Sequence, residues 1–164
     1  MRRLSIFLAA AVSLFAIGSG VAIAESQTVD GTGDITKMVA DNGTSFVTTK
    51  VFGLKRPCGG AQYLHVHVTK GDGTPLYKAE GGCYSAEWHT SLWYTPTGDP
   101  EDYVAVDCTG FSFTRNRTTG AYKVVMPRSC LGSAPNRVRV DAEGQNYGTL
   151  TGGLAGPTKV LSRG

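Results

Sequence analysis

The stretch Tyr63-Leu64-His65-Val66-His67-Val68-Thr69 alternates polar and apolar side chains without a break. A period of two belongs to a β-strand, in which successive side chains point to opposite faces. The stretch therefore predicts a strand with Leu64, Val66 and Val68 turned to a core and Tyr63, His65, His67 and Thr69 on the other face. The same period recurs after residue 24, and helical spacing at three and four residues does not. The fold class this predicts is all-β.

Working outward, residues 34–40 and 45–52 flank Asp41-Asn42-Gly43-Thr44, an Asn-Gly signal for a hairpin turn with positive φ angles. Further strand-like runs fall at 62–69, 75–79, 86–94, 103–108, 111–116, 121–126 and 137–141. Many short strands separated by Gly, Pro, Asp or Asn predict a single antiparallel two-sheet β-sandwich of about 8–10 strands. Gly71-Asp72-Gly73 and Arg117-Thr118-Thr119-Gly120 read as hairpin loops. Pro127 should break the ladder, with a short helical turn over Met126-Pro127-Arg128-Ser129-Cys130-Leu131-Gly132. Residues 142–157 carry Gly144, Gly148, Gly152, Gly153 and Gly156, which predicts a long loop or an irregular edge before a final strand at 158–162.

The first residues pair Arg2 and Arg3 with an apolar run from Leu4 to Ile17 and end on Ala22-Ile23-Ala24. This is the pattern of a secretory signal peptide over residues 1–24, leaving 25–164 as one secreted, extracellular domain. No later stretch approaches the ~18 apolar residues needed to span a bilayer. Residues 1–24 hold two arginines and no acid, so the net charge of +3 falls to +1 without them. With no cluster of Lys and Arg interleaved with aromatic residues, nucleic acid is not an expected partner. Asn42-Gly43-Thr44 and Asn116-Arg117-Thr118 match the glycosylation sequon, a pattern short enough to arise by chance.

Four cysteines, Cys58, Cys83, Cys108 and Cys130, in an exported chain imply two disulfides. Of the three pairings open to them, Cys58 with Cys83 and Cys108 with Cys130 encloses two local meanders that do not cross. Each such loop is worth roughly 3 kcal/mol through the unfolded state. A four-cysteine zinc site lacks any C-x-x-C spacing.

His65 and His67, two residues apart on one strand face, lie about 6–7 Å apart. They would share a zinc or copper ion only if a third ligand closed the site, and His89 is the one remaining histidine. The plainer reading is a polar strand face. Asp30-Gly31-Thr32-Gly33-Asp34 has two carboxylates in a glycine-rich turn that would suit calcium, though most such sequences are simply turns. Trp88, Trp93, Tyr94, Tyr63, Tyr77 and Tyr103 are candidates for a contact surface, since aromatic faces stack on sugars and anchor protein partners. Trp88 and Trp93 are opposite in phase, so one faces outward on an unbulged strand. Trp93, with Tyr94 and the Pro96-Thr97-Gly98-Asp99-Pro100 loop, is the expected exposed cluster.

No nucleophile elbow, H-E-x-x-H, P-loop or dinucleotide fingerprint occurs. Glu80, Glu87, Asp99, Glu101, Asp102 and Asp107 are scattered acids rather than a glycosidase pair. The expected function is a secreted, non-catalytic binding or structural module. Its partner would be an extracellular or envelope component, a carbohydrate or a protein, met through Trp93, Tyr94 and Tyr63. The alternative is a metal-binding protein using His65, His67 and His89.

The segment Val-Val-Met-Pro-Arg-Ser-Cys-Leu-Gly-Ser-Ala-Pro-Asn-Arg-Val-Arg-Val at 124–140, the ending Gly-Pro-Thr-Lys-Val-Leu-Ser-Arg-Gly at 156–164 and the early Gly33-Asp34-Ile35-Thr36 resemble small uncharacterised secreted proteins of actinobacteria. The resemblance implies a β-sandwich and supplies no catalytic residues. A more distant similarity to carbohydrate- or haem-binding sandwich modules rests on the strand pattern alone.

Overall fold

The computed structural model describes residues 24–54, 62–85, 87–116, 118–131, 136–146 and 149–164. The expected signal peptide up to residue 23, Cys58, Ala86, Arg117, Gly132 and Gly148 lie outside the described residues. Among the described residues there are twelve strands, against the roughly 8–10 expected: β1 (Glu25–Asp30), β2 (Lys37–Asn42), β3 (Phe46–Phe52), β4 (Gln62–Lys70), β5 (Pro75–Tyr84), β6 (Glu87–Tyr94), β7 (Val104–Ala105), β8 (Ser112–Asn116), β9 (Ala121–Pro127), β10 (Arg137–Asn146), β11 (Thr149–Ala155) and β12 (Leu161–Ser162). All pairings are antiparallel. One sheet has the order β1-β2-β3-β9-β8, and the other β11-β10-β4-β5-β6-β7 with β12 also on β10.

The alternation of β4 turns Leu64, Val66 and Val68 inward, each almost fully buried. They share one hydrophobic cluster with Val138 and Val140 of β10 and with Met38, Val47, Val51, Val124 and Met126 of the five-stranded sheet. The inner faces of both sheets thus bury a common core, the dominant favourable contribution to folding. At one end Trp88 enters this core, its ring 5.6 Å from both Phe113 and Tyr122, with Nε1 donating to the Phe113 carbonyl at 3.2 Å. Gly81 makes this possible, because an added Cβ there would lie 2.8 Å from Trp88 Cη2.

Several local expectations change. The hairpin between β2 and β3 forms, but neither Asn42 nor Gly43 has a positive φ. Asn42 instead ends β2 facing inward and fully buried. Its amide nitrogen donates to the carbonyls of Leu161 at 2.8 Å and Asn136 at 3.1 Å, and its carbonyl accepts from Arg128 Nη2. A side chain so engaged is a structural lock, which removes Asn42 as a surface sequon. The other loops behave as read: Asp72 accepts from the Thr74 amide, Gly73 has φ 94°, and Asn116 Oδ1 accepts from Thr118 and Thr119 ahead of Gly120 at φ 65°. The turn after Pro127 is one turn of 3-10 helix, Arg128–Cys130.

The largest departure is the glycine-rich segment, which is not a loop. It extends β10 to Asn146 and supplies β11, with Gly144 opposite Gly153. The glycines serve close approach: a Cβ on Gly153, whose φ is 129°, would be driven into the backbone of Thr32, Asp34 and Ile35. There the two sheets meet, through a Gly31–Ala155 bridge and the amides of Thr32 and Asp34 donating to Leu154 and Gly152. β1 was likewise unforeseen. Cys108–Cys130 is bonded across a Cα–Cα distance of 5.6 Å. This is the one disulfide described, against the two expected. Cys83 is not a free thiol, but the expected partner Cys58 is outside the described residues.

Candidate functional site

The outer face of β4 is the centre of a cleft of about 350 Å³ on the second sheet, bounded by His65, His67, Lys78, Pro100, Tyr103 and Asp141, with Thr69 and Pro75 at its margin. Register builds it. Asp141 of β10, His67 of β4, Lys78 of β5 and Trp93 of β6 form one row across the sheet. Glu143, His65, Glu80 and Ser91 form the next. Side chains directly opposite on adjacent strands lie close enough to interact, so each histidine acquires an acid from a neighbouring strand.

His67 Nδ1 is 2.8 Å from Asp141 Oδ1, and His65 Nε2 is 3.2 Å from Glu80 Oε2. The two rings stand 6.0 Å apart. Each carboxylate occupies one ring nitrogen, which fixes the imidazole and leaves the other nitrogen for a ligand. The hydrogen bond from His65, with the charges of His65 and Lys78, holds the Glu80 carboxyl below its ordinary range. The Tyr103 phenol is pushed up by burial and by the nearby Asp141 carboxylate, and it stays a neutral hydrogen-bonding group.

The second wall comes from the loop between β6 and β7. Lys78 Nζ lies 4.9 Å from the Tyr103 ring centroid and 5.5 Å from that of Trp93, a cation held between two aromatic faces. The loop braces itself: Thr95 Oγ1 donates to the Asp99 carbonyl and accepts from the Gly98 amide, Thr97 Oγ1 donates to Asp102, and Asp99 Oδ1 accepts from the Glu101 amide. The wall is therefore formed before any ligand arrives, and binding would not require it to be ordered.

The expected site residues are divided by this geometry. His65 and His67 share the cleft, whereas His89 does not join them. It pairs across from Gly82, in the row of Tyr63, with its ring 5.6 Å from Tyr84 and its Nε2 3.9 Å from Glu87. The three-histidine centre is thus corrected to a two-histidine pair. Among the described residues no group of three or more His, Cys, Asp or Glu is arranged to hold a metal ion. Asp30 to Asp34 is the turn out of β1, in which the Thr32 and Asp34 amides donate to Leu154 and Gly152 of β11 and the Gly31 amide donates to the Thr36 carbonyl. Trp93 faces outward as expected, its Nε1 donating to Ser91 Oγ at 2.8 Å. Tyr94 points the other way, packing on the core with its ring 5.0 Å from Tyr77, so it leaves the contact surface. Tyr63 is on the outer face but covers Gly82 and meets Tyr84 edge-on at 5.4 Å, away from Trp93. Lys78, Glu80, Tyr103 and Asp141 were not singled out as site partners of the histidines. Asp141 had a readable signal, because Arg137, Arg139, Asp141 and Glu143 alternate with Val138, Val140 and Ala142 in the same phase as β4.

The fold and cleft together define an all-β protein with a preformed polar and aromatic hollow on one sheet. No protein-family model matches the chain, and no curated protein shows significant similarity to it. Among the described residues no helix is long and apolar enough to cross a membrane.

Proposed function

We propose that this is an exported, non-catalytic binding module that takes a neutral saccharide in the cleft between His67, Tyr103 and Asp141. The observation that carries the reading is the composition of that hollow. Ring-bearing walls at Pro100 and Tyr103 face a floor of hydrogen-bonding groups at His65, His67, Lys78 and Asp141. Sugars need both, an apolar face for the ring and fixed donors and acceptors for the hydroxyls. A self-braced loop and carboxylate-held imidazoles favour binding by reducing the ordering cost. The N-terminal pattern and the disulfide chemistry support export, and the late Pro-Arg-Ser-Cys-Leu-Gly segment supports kinship with the secreted actinobacterial proteins it resembles.

The test is calorimetric titration with cellotetraose, xylotetraose and chitotetraose. Binding by at least one of them, weakened about tenfold by Tyr103→Ala and by Asp141→Ala, is expected. Absence of binding to all three, or binding indifferent to both substitutions, overturns the saccharide reading.

A metal function survives as a second reading only in the two-histidine form. Carboxylates that hold one nitrogen of each ring are the usual outer partners of metal-ligating histidines, and His67–Asp141 and His65–Glu80 have that form. Titration with zinc and copper decides it. Sub-micromolar binding abolished by His67→Ala supports it, and binding unaffected by that substitution removes it.

A further inference from the structure

The other broad face of the molecule, the outside of the five-stranded sheet, carries a second feature unrelated to the cleft. Lys50 of β3 and Lys123 of β9 are directly opposite in register and both exposed. Among the described residues neither has an ion-pair partner. Their row continues through Val39 and Thr28 on one side and Thr114 on the other, without an acid. Like charges facing each other across a strand pair repel and destabilise it. Lysines often guard the unpaired edge of a sheet, but β3 and β9 are interior strands. The pair has no such structural purpose.

Its surroundings are those of a binding surface. A broad hollow of about 610 Å³ opens beside the pair, with Phe46, Thr48, Ser26 and Asp41 along it. A second, of about 290 Å³, opens on the other side with Phe52, Thr114 and Asn116. Phe46 is 46% exposed. Lys37 Nζ lies 4.8 Å over the Phe52 ring and is opposite Asp30 in register, so its charge is already partly answered. Asp41 and Asp30 are the acids of this face, and neither stands across from Lys50 or Lys123.

We propose that this face binds a linear acidic polysaccharide, with carboxylates reaching Lys50 and Lys123 and a sugar ring lying on Phe46. Two adjacent unanswered cations match repeated single charges along a chain, and the flanking hydroxyls of Ser26, Thr28, Thr48 and Thr114 match its sugars. A nucleic acid calls for a wider positive field than one lysine pair provides. Such a face would anchor the module to an anionic surface polymer while the cleft on the opposite sheet stays open.

The experiment measures binding of the full chain to immobilised polygalacturonate, to the same polymer fully methyl-esterified, and to polyphosphate. The proposal expects binding to polygalacturonate that weakens with added salt and is lost on esterification. The double variant Lys50→Gln/Lys123→Gln should lose about tenfold or more in affinity, with a melting temperature no lower than the parent's, because both side chains are exposed and their mutual repulsion is removed. Tyr103→Ala, in the cleft, should bind polygalacturonate like the parent, which separates this face from the saccharide reading. Equal binding by the double variant, equal binding to the esterified polymer, or tighter binding to polyphosphate overturns it.

Discussion

His65, on the floor of the cleft, has its Nε2 3.2 Å from Glu80 Oε2 across the β4–β5 register. The hydrogen bond and charge hold the Glu80 carboxyl below its ordinary value of 4.5. A folded-state pKa below the unfolded one stabilises the protein above the unfolded value, and that contribution fades as pH falls through the folded value. Glu80→Gln should therefore be less stable than the parent at neutral pH, with the gap closing as pH drops below about 4.5. Thermal melts of both proteins over that range check it. A gap independent of pH contradicts the pairing.

Asn42 connects β2 to the Leu161 and Asn136 carbonyls and to Arg128, alongside the Arg163 amide on the Asn136 carbonyl and the Arg128 Nε on the Gly43 carbonyl. Asn42→Ala should cost roughly 3 kcal/mol, because it leaves two carbonyls and a guanidinium with lost partners in a buried setting. Urea unfolding measures it. A cost within the few tenths typical of an exposed Asn would show that the inward orientation is wrong.

Gly81 is tied to Trp88. Its added Cβ would fall 2.8 Å from Trp88 Cη2 and 3.0 Å from Phe113 Cε1. Gly81→Ala should destabilise by about 1–3 kcal/mol through overpacking, and Trp88→Phe in that background should recover part of the loss. Comparing the two variants by denaturant unfolding separates packing from backbone effects, since the second change leaves residue 81 alone.

Cys108 and Cys130 close a segment with a sequence separation of 22 that contains the β8–β9 hairpin. Replacing both by serine should lower stability by roughly 3 kcal/mol, mainly by freeing the unfolded chain. The measurement is unfolding of the double variant with Cys58 and Cys83 left in place.

The strand nature of residues 63–69 and the inward phase of Leu64, Val66 and Val68 were legible because alternation is a local property. Register is not local. That Asp141 and Glu80 would flank His67 and His65 depends on which strands pair and on their offsets, neither of which a single strand encodes. The outward phase of Trp93 was legible by the same logic, which also assigns its neighbour Tyr94 to the inner face. Grouping Trp93 with Tyr94 overlooked that phase. The glycines of β10 and β11 misled for a different reason: their low strand propensity is real, but Gly153 approaches the backbone of the turn at Thr32 to Ile35 and Gly152 approaches that of Gly144 too closely for a Cβ.

The most direct test of the cleft as the binding site is a two-dimensional amide NMR titration with the tightest-binding of the three tetrasaccharides. The largest shifts should fall on His65, His67, Lys78, Tyr103 and Asp141, with the amides of Lys50 and Lys123 on the opposite sheet unmoved. Shifts centred elsewhere, or absent at saturating sugar, would contradict it.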